Sequence, residues 1–335
     1  MIAHPSVLSV PAPALLEADD TWPRSAAAVG PALEVEDLVV EYGSLRAVDG
    51  VSFRLAPGEV LGFLGPNGAG KSTTIHVLAT LLRPTRGRVR VLGFDAVRQA
   101  GEIRRRLGLV MQRSCVDVML NVRENLYLYA GLHRIPVRER RRRIDEILEL
   151  FGLADRADAA VHLLSSGLLR RVALARAFLA DCEILFLDEP TAGVDPRARA
   201  AFHDFLREVC RRTGLTIFLA THDLDEAERL CTQIAFIRQG KLLALASPAE
   251  LKAAIDHSVL AIEFESPVQL PADLERAPGV VAVRLQGVRR AEIDVAGSAA
   301  RALDVLMRLK SAGTVQNFTL RPPSLEDVFL KFSRG

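Results

Sequence analysis

Nine consecutive residues, Gly65, Pro66, Asn67, Gly68, Ala69, Gly70, Lys71, Ser72 and Thr73, fit the pattern GxxxxGK[ST] and follow the apolar run Val60–Leu64. Glycines at those places let successive backbone N–H groups converge on phosphate oxygens, and Lys71 has the reach for the β- and γ-phosphates. The Ser72 hydroxyl is a candidate Mg²⁺ ligand, and a helix starting here adds the positive end of its dipole. A second apolar run, Ile184–Leu187, ends in Asp188-Glu189-Pro190, about 115 residues further on. A carboxylate at the end of a buried strand, here Asp188, can hold hydrated Mg²⁺ opposite the phosphate loop. Its neighbour Glu189 can orient or polarise an attacking water. The two motifs together predict nucleotide binding with phosphoryl transfer.

The elements that must position these residues are legible as periodicity. Leu33–Val40 and Val51–Leu55 read as strands, and Val60–Leu64, Ile184–Leu187 and Thr216–Ala220 as buried strands. Residues 123–151 read as helical, with Ile144, Ile147, Leu148 and Phe151 at helical spacing beside a charged face. Apolar strands alternating with helices predict an α/β core around a mostly parallel sheet. After about Ser247-Pro248 the texture changes. Short strand-like runs (Val259–Glu265, Val280–Gln286, Ala291–Val295) surround one helical run, Ser298–Lys310, which predicts a small α+β domain over 251–335. Residues 1–31 carry Pro5, Pro11, Pro13, Pro23 and Pro31 and the single tryptophan, Trp22, and are expected to form a disordered tail.

Composition narrows the class. The chain has 335 residues, 49% hydrophobic and 25% charged, with net charge +2, which excludes wholesale disorder and gives no bulk electrostatic case for nucleic acid. No apolar run reaches the roughly 18 residues that cross a bilayer, so work at a membrane would be done from outside the lipid. No basic leader precedes an apolar stretch, so no secretory signal is expected. Cys115, Cys182, Cys210 and Cys231 contain no CxxC pair, against a zinc site or disulfide framework. Arg138 and Arg140 to Arg143 crowd one helical segment beside Glu139, Asp145 and Glu146 and read as a solvated, partly paired face.

Between the two motifs lies Leu164-Ser-Ser-Gly-Leu-Leu-Arg-Arg-Val-Ala-Leu-Ala-Arg176, with Gln112 upstream and Thr221-His222-Asp223 downstream. In this order, over about residues 33–250, the chain resembles the ABC ATPases. The resemblance implies a P-loop NTPase core over 32–250, with a helical subdomain at about 113–180. It also implies a head-to-tail homodimer that sandwiches two ATP and two Mg²⁺. It makes Tyr42 the aromatic that stacks on adenine, and Gln112 the glutamine near Mg²⁺ and the attacking water. Ser165 and Gly167 would bind the γ-phosphate of ATP held by the other subunit, and Asp195 would link the two sites. Asp188 becomes the metal-binding aspartate, Glu189 the catalytic glutamate and His222 the γ-phosphate switch. One departure stands out: Ser166-Gly167-Leu168 replaces the usual Gly-Gly followed by Gln or Met, which puts backbone geometry and turnover in question.

The segment Arg321-Pro-Pro-Ser-Leu-Glu-Asp-Val-Phe-Leu330 resembles the terminal motif of exporter ATPases of the daunorubicin-resistance type. That likeness implies a motor docked on a separate ABC-2-type permease, at the cytoplasmic face of the inner (plasma) membrane, through the region Ser114 to Leu126. Drug, lipid, polysaccharide and metal-related cargo are all compatible with it. Two other classes compete. A soluble ABC protein of translation or DNA maintenance would bring a second cassette, coiled coils or zinc modules. An ATP-gated module would bind without turnover.

Overall fold

The computed structural model describes residues 30–111, 116–179, 182–255, 257–271, 273–296, 299–309 and 313–334. The expected tail therefore lies outside the described residues, apart from its last two positions. The chain divides into two compact units, Met1–Leu242 and Leu243–Gly335, where the sequence places the change of texture at about Ser247-Pro248.

The first unit opens with β1 (Leu33–Tyr42), β2 (Leu45–Leu55) and β3 (Val60–Leu64), then α1 (Lys71–Leu78), β4 (Arg86–Val91) and β5 (Phe94–Asp95). Next come α2 (Ala100–Arg106), β6 (Leu107–Val110), α3 (Val122–Leu132), α4 (Val137–Leu150) and α5 (Ser166–Phe178). It closes with β7 (Ile184–Asp188), α6 (Pro196–Thr213), β8 (Thr216–Thr221), α7 (Leu224–Leu230) and β9 (Gln233–Arg238). Strands β9, β3, β8, β7 and β6 lie side by side in that order and pair in parallel. Residues of β3, β7 and β8 are buried without exception, which is why they read as continuous apolar runs. An antiparallel sheet, β2-β1-β4-β5, packs beside this core. Phe53 of β2 meets Phe63 of β3 and Phe218 of β8, each with ring centroids 5.9 Å apart.

Helix boundaries follow local chemistry. Asn121 and Glu124 form a reciprocal capping box at α3, and Asp195 caps α6 with Pro196 in its first turn. The segment expected to be helical over 123–151 is two helices. His133 ends α3, Arg134 takes φ 58°, and Pro136 precedes α4. A proline removes a ladder donor and disfavours helix at the residue before it, so the chain turns here despite favourable periodicity on both sides. The arginine-rich face of α4 is partly tied down. Arg140 Nε donates to the Ile135 carbonyl at 2.8 Å, and Arg142 pairs with Glu146 at 2.6 Å. Among the described residues no helix is long and apolar enough to cross a membrane.

β10 (Lys241–Ala246) runs across the boundary between the units. The second unit then holds α8 (Pro248–Ala253), β11 (His257–Phe264), β12 (Val280–Gln286), β13 (Arg290–Ala296), α9 (Ala299–Leu309), β14 (Val315–Arg321) and α10 (Leu325–Arg334). Its antiparallel sheet runs β12-β13-β11-β14, and α9 covers one face through Ala302, Val305, Leu306 and Leu309. Ser324 and Asp327 cap α10. The Ser324 N–H and Oγ–H donate to Asp327 Oδ2 at 2.8 and 2.7 Å, and Arg321 donates to the same oxygen at 2.7 Å. Burial alone would raise the Asp327 carboxyl, but the Arg321 and Ser324 bonds outweigh it and hold the group below its ordinary value.

A carboxyl whose folded value is depressed stabilises the fold above its unfolded value and loses that contribution as pH falls through both. Hydrogen-exchange protection of residues 315–334 is therefore expected to fall as pH drops below about 4, the ordinary carboxylate range. Asp327→Asn should lower that protection at neutral pH and flatten the acid dependence. Equal profiles for variant and wild type would show that the cap contributes nothing.

Candidate active site

The site gathers at the C-terminal ends of β3, β7 and β8. Gly65 leaves β3 with its N–H donating to the Thr221 carbonyl of β8 at 3.3 Å, so the phosphate loop starts against the strand that ends in front of His222. The loop then turns at Gly68 and Gly70, φ 80° and 104°, and α1 begins at Lys71. No side chain caps that helix, which leaves its first backbone donors facing the loop. Lys71 is buried, and its Nζ donates to the carbonyls of Gly65 at 2.7 Å and Pro66 at 3.2 Å.

β7 delivers the two carboxylates. Ser72 Oγ donates to Asp188 Oδ1 at 3.2 Å. Burial pushes the Asp188 carboxyl up from its ordinary value, and the Ser72 bond partly opposes this. Glu189 is also buried, and its Oε1 lies 3.1 Å from Lys71 Nζ. His222 Nδ1 stands 2.5 Å from Glu189 Oε2, with its imidazole 56% exposed. Glu189 adopts φ 50°, a left-handed conformation that costs a non-glycine residue roughly 1–2 kcal/mol. Two backbone bonds hold it there. Its N–H donates to the Ala220 carbonyl at 2.9 Å, and its carbonyl accepts from Ala192 at 3.1 Å.

The fold thus brings together Lys71 and His222 on Glu189, and Ser72 on the neighbouring Asp188, although up to 151 positions separate these residues in sequence. Chemically this is two carboxylates, a hydroxyl, an ammonium and an imidazole at the mouth of an anion-binding loop. Oxygen donors from Ser72 and Asp188 suit a hard divalent cation. Among the described residues no group of three or more His, Cys, Asp or Glu is placed to hold a metal ion.

The remaining expected residues stand apart. Tyr42 ends β1 at the tip of its hairpin with β2 and is 49% exposed. Ser165 is the exposed N-cap of α5, its hydroxyl accepting from the Leu168 N–H at 3.4 Å, and Asp195 caps α6 through Ala198 at 2.9 Å. A Cβ on Gly167 would meet Ala198 at 3.4 Å, so the starts of these two helices adjoin. Among the described residues, no hydrogen bond or ion pair joins Ser165, Gly167 or Asp195 to the five converging side chains. Gln112 lies outside the described residues. On the backbone geometry that this departure put in question, Ser166 is the exposed first residue of α5 and has no positive φ, so the backbone does not require glycine there.

Periodicity and motif spacing gave no warning of a buried polar cluster behind the site, in which Glu226 joins Thr191 and His203. His203 reads as a structural histidine by type. The available signal was two ionisable residues on otherwise apolar helix faces, beside Phe202 and Leu206 in α6 and Ala227 in α7.

Comparison with known proteins gives two family matches. Residues 48–192 match the family described as ABC transporter, and residues 247–332 match the C-terminal domain of ATP-binding proteins like DrrA1-3. The chain is 39% identical to the daunorubicin resistance ATP-binding protein DrrA3 of Streptomyces coeruleorubidus, over 89% of this chain and 95% of the relative. It is 38% identical to the Nod factor export ATP-binding protein I of Paraburkholderia xenovorans, over 90% of this chain and 97% of that protein. Among solved structures, cbiO1 of Clostridium perfringens, part of an ABC transporter complex, matches with a TM-score of 0.63 and 30% identity. That match covers 67% of this chain and 91% of that one.

Proposed function

The chain belongs to the ABC transporter ATP-binding proteins, as the ATPase subunit of an exporter, and from that premise we propose how its site works. Lys71, Ser72, Asp188, Glu189 and His222 form the hydrolytic centre, and Ser165, Gly167 and Asp195 of a second copy complete it across a sandwiched ATP. The observation that carries this reading is the contact of Lys71 and His222 with one buried carboxylate, Glu189. Two cationic or hydrogen-donating groups and a base at one point are what γ-phosphate transfer to water requires, since that chemistry rests on positioning and charge neutralisation.

In this reading the phosphate loop and the N-terminus of α1 hold the phosphate chain, and Tyr42 stacks on adenine. Ser72 and Asp188 would hold Mg²⁺, which when bound neutralises charge on the β- and γ-oxygens. Glu189 takes the proton of the attacking water, while Lys71 and His222 face the γ-phosphate oxygens. Gln112, outside the described residues, keeps only the role that the family resemblance implies for it. The N-terminal position of Ser165 and Gly167 on α5, with Ser165 exposed, supports their working in trans, because backbone donors at a helix start favour an anion.

The partner is an ABC-2-type permease, engaged from the cytoplasmic face of the plasma membrane. Val118, Met119, Tyr127, Leu128 and Leu132 are exposed on and just before α3, Met119 at 88%. An apolar surface of this kind, which begins within the expected docking region Ser114 to Leu126 and runs on past it, suits a membrane subunit. The relatives are named for daunorubicin resistance and Nod factor export; cargo choice here lies with the permease. The test is mild-detergent purification of the tagged chain from its native membranes. A multi-span membrane protein at fixed stoichiometry is expected, with Met119→Asp reducing its recovery at least about fivefold, as loss of a buried apolar anchor does. Recovery of ribosomes, nucleic acid or only soluble proteins overturns the reading.

A further inference from the structure

Glu226 sits on α7, four residues after His222, with no exposed surface. Its Oε1 accepts from Thr191 Oγ at 2.9 Å and lies 3.1 Å from His203 Nε2, and Thr191 and His203 are themselves buried. Each partner belongs to a stretch that bears a residue of the proposed centre. Thr191 follows Glu189 by two positions, and His203 lies on α6, which Asp195 caps. Next to Glu226, Asp223 ties α7 to α6 again, with its Oδ2 accepting from Arg199. Helix α5 joins through Arg170, which donates to the Ala192 carbonyl at 3.5 Å. Burial lowers the Arg170 guanidinium, and the charge of Glu226 opposes that shift.

A buried carboxylate is a costly way to fill this volume. Its second oxygen, Oε2, is buried with no hydrogen-bond partner among the described residues, and a leucine or methionine would pack there without desolvating a charge. What the carboxylate supplies is a fixed attachment for Thr191. The turn Glu189–Val194 is closed by Ala192 N–H to the Glu189 carbonyl and Val194 N–H to the Thr191 carbonyl, both at 3.1 Å. Glu189 is held in a left-handed conformation at the head of that turn. A residue in such a conformation persists only when its surroundings over-determine it. Without the Thr191 anchor, Glu189 can relax to an ordinary backbone conformation and carry its carboxylate away from Lys71 and His222.

We propose that Glu226 is a positioning residue for hydrolysis: through Thr191 and His203 it locks the Glu189 turn, α6 and α7 into one body, with α5 drawn in through Arg170. The inference rests on the hydrolytic reading above. Glu226 itself touches no substrate.

The test is steady-state ATP hydrolysis by the full chain carrying Thr191→Val, Thr191→Ser or Glu226→Gln, with wild type and Glu189→Gln in the same assay and an unfolding temperature for each. Thr191→Val and Glu226→Gln should lower kcat about tenfold or more with KM for ATP within about twofold, since a misplacement near 1 Å is worth up to about a hundredfold. Thr191→Ser, which keeps the hydroxyl, should recover most of what Thr191→Val loses. Wild-type kcat in both variants overturns the inference. So does a joint loss of kcat, KM and unfolding temperature that serine does not rescue, the mark of a merely structural role. If wild type and Glu189→Gln hydrolyse ATP equally, the hydrolytic reading falls and takes the inference with it; if only they differ, the inference falls alone.

Discussion

Glu189→Gln slows ATP hydrolysis at least about a hundredfold and leaves ATP binding intact, because a positioned general base contributes roughly 10²–10⁴. Glutamine has the same shape, so the contact with His222 Nδ1 and the turn behind it can persist. What it removes is the proton acceptor, and the negative charge that Lys71 Nζ meets at 3.1 Å. Phosphate release by the purified protein measures the loss. Light scattering with ATP present should then find a dimer that wild type forms only transiently, because hydrolysis no longer dissolves the sandwich. Turnover at the wild-type rate would remove Glu189 from its role and leave the centre without a base.

Gly70→Ala should weaken ATP binding at least about a hundredfold, which takes a combined cost of about 3 kcal/mol. Two costs add. The φ of 104° lies where an L side chain is strained, roughly 1–2 kcal/mol, and the new Cβ would stand 2.5 Å from the Ala47 carbonyl oxygen. That oxygen is backbone and cannot swing away, so the loop must shift at the point where α1 begins and its donors converge. Gly68→Ala is the comparison, with φ 80° but nothing within 4 Å of the added carbon, so only the conformational cost applies. Binding of a fluorescent ATP analogue measures both. Equal affinities for the two variants would show that the Ala47 contact does not set the loop.

The extent to which the site was readable depends on how local its determinants are. The phosphate loop is one contiguous stretch, and its glycines, lysine and serine state their chemistry by type and spacing. Asp188 and Glu189 were recognisable only beside the phosphate loop: an apolar run ending in Asp-Glu is often just a strand meeting the surface, and its place about 115 residues after that loop gives it chemical meaning. Ser166 shows the opposite case. Judged as a letter in a motif it put the backbone geometry in question, yet at the first position of α5 the backbone has no positive φ and does not call for glycine. The helical segment expected over 123–151 failed at Arg134 to Pro136, where the apolar period continues but proline ends the hydrogen-bond ladder. Periodicity measures which face is buried and is silent on whether one helix or two presents it.

By itself the sequence determined the parallel α/β core, the nucleotide loop, the order of the ATPase motifs and a second unit of different texture, because each is written in short-range pattern. Tertiary structure alone decided that Lys71 and His222 meet on Glu189, that Ser165 and Asp195 cap their helices away from that point, and that Glu226 lies fully buried between Thr191 and His203. The reason is physical. Contacts across 33 to 118 positions exist only once β3, β7 and β8 are in register, since strand pairing brings their ends to one edge of the sheet. The desolvation that gives a buried carboxylate its cost, and hence its information, appears only when helices close over it.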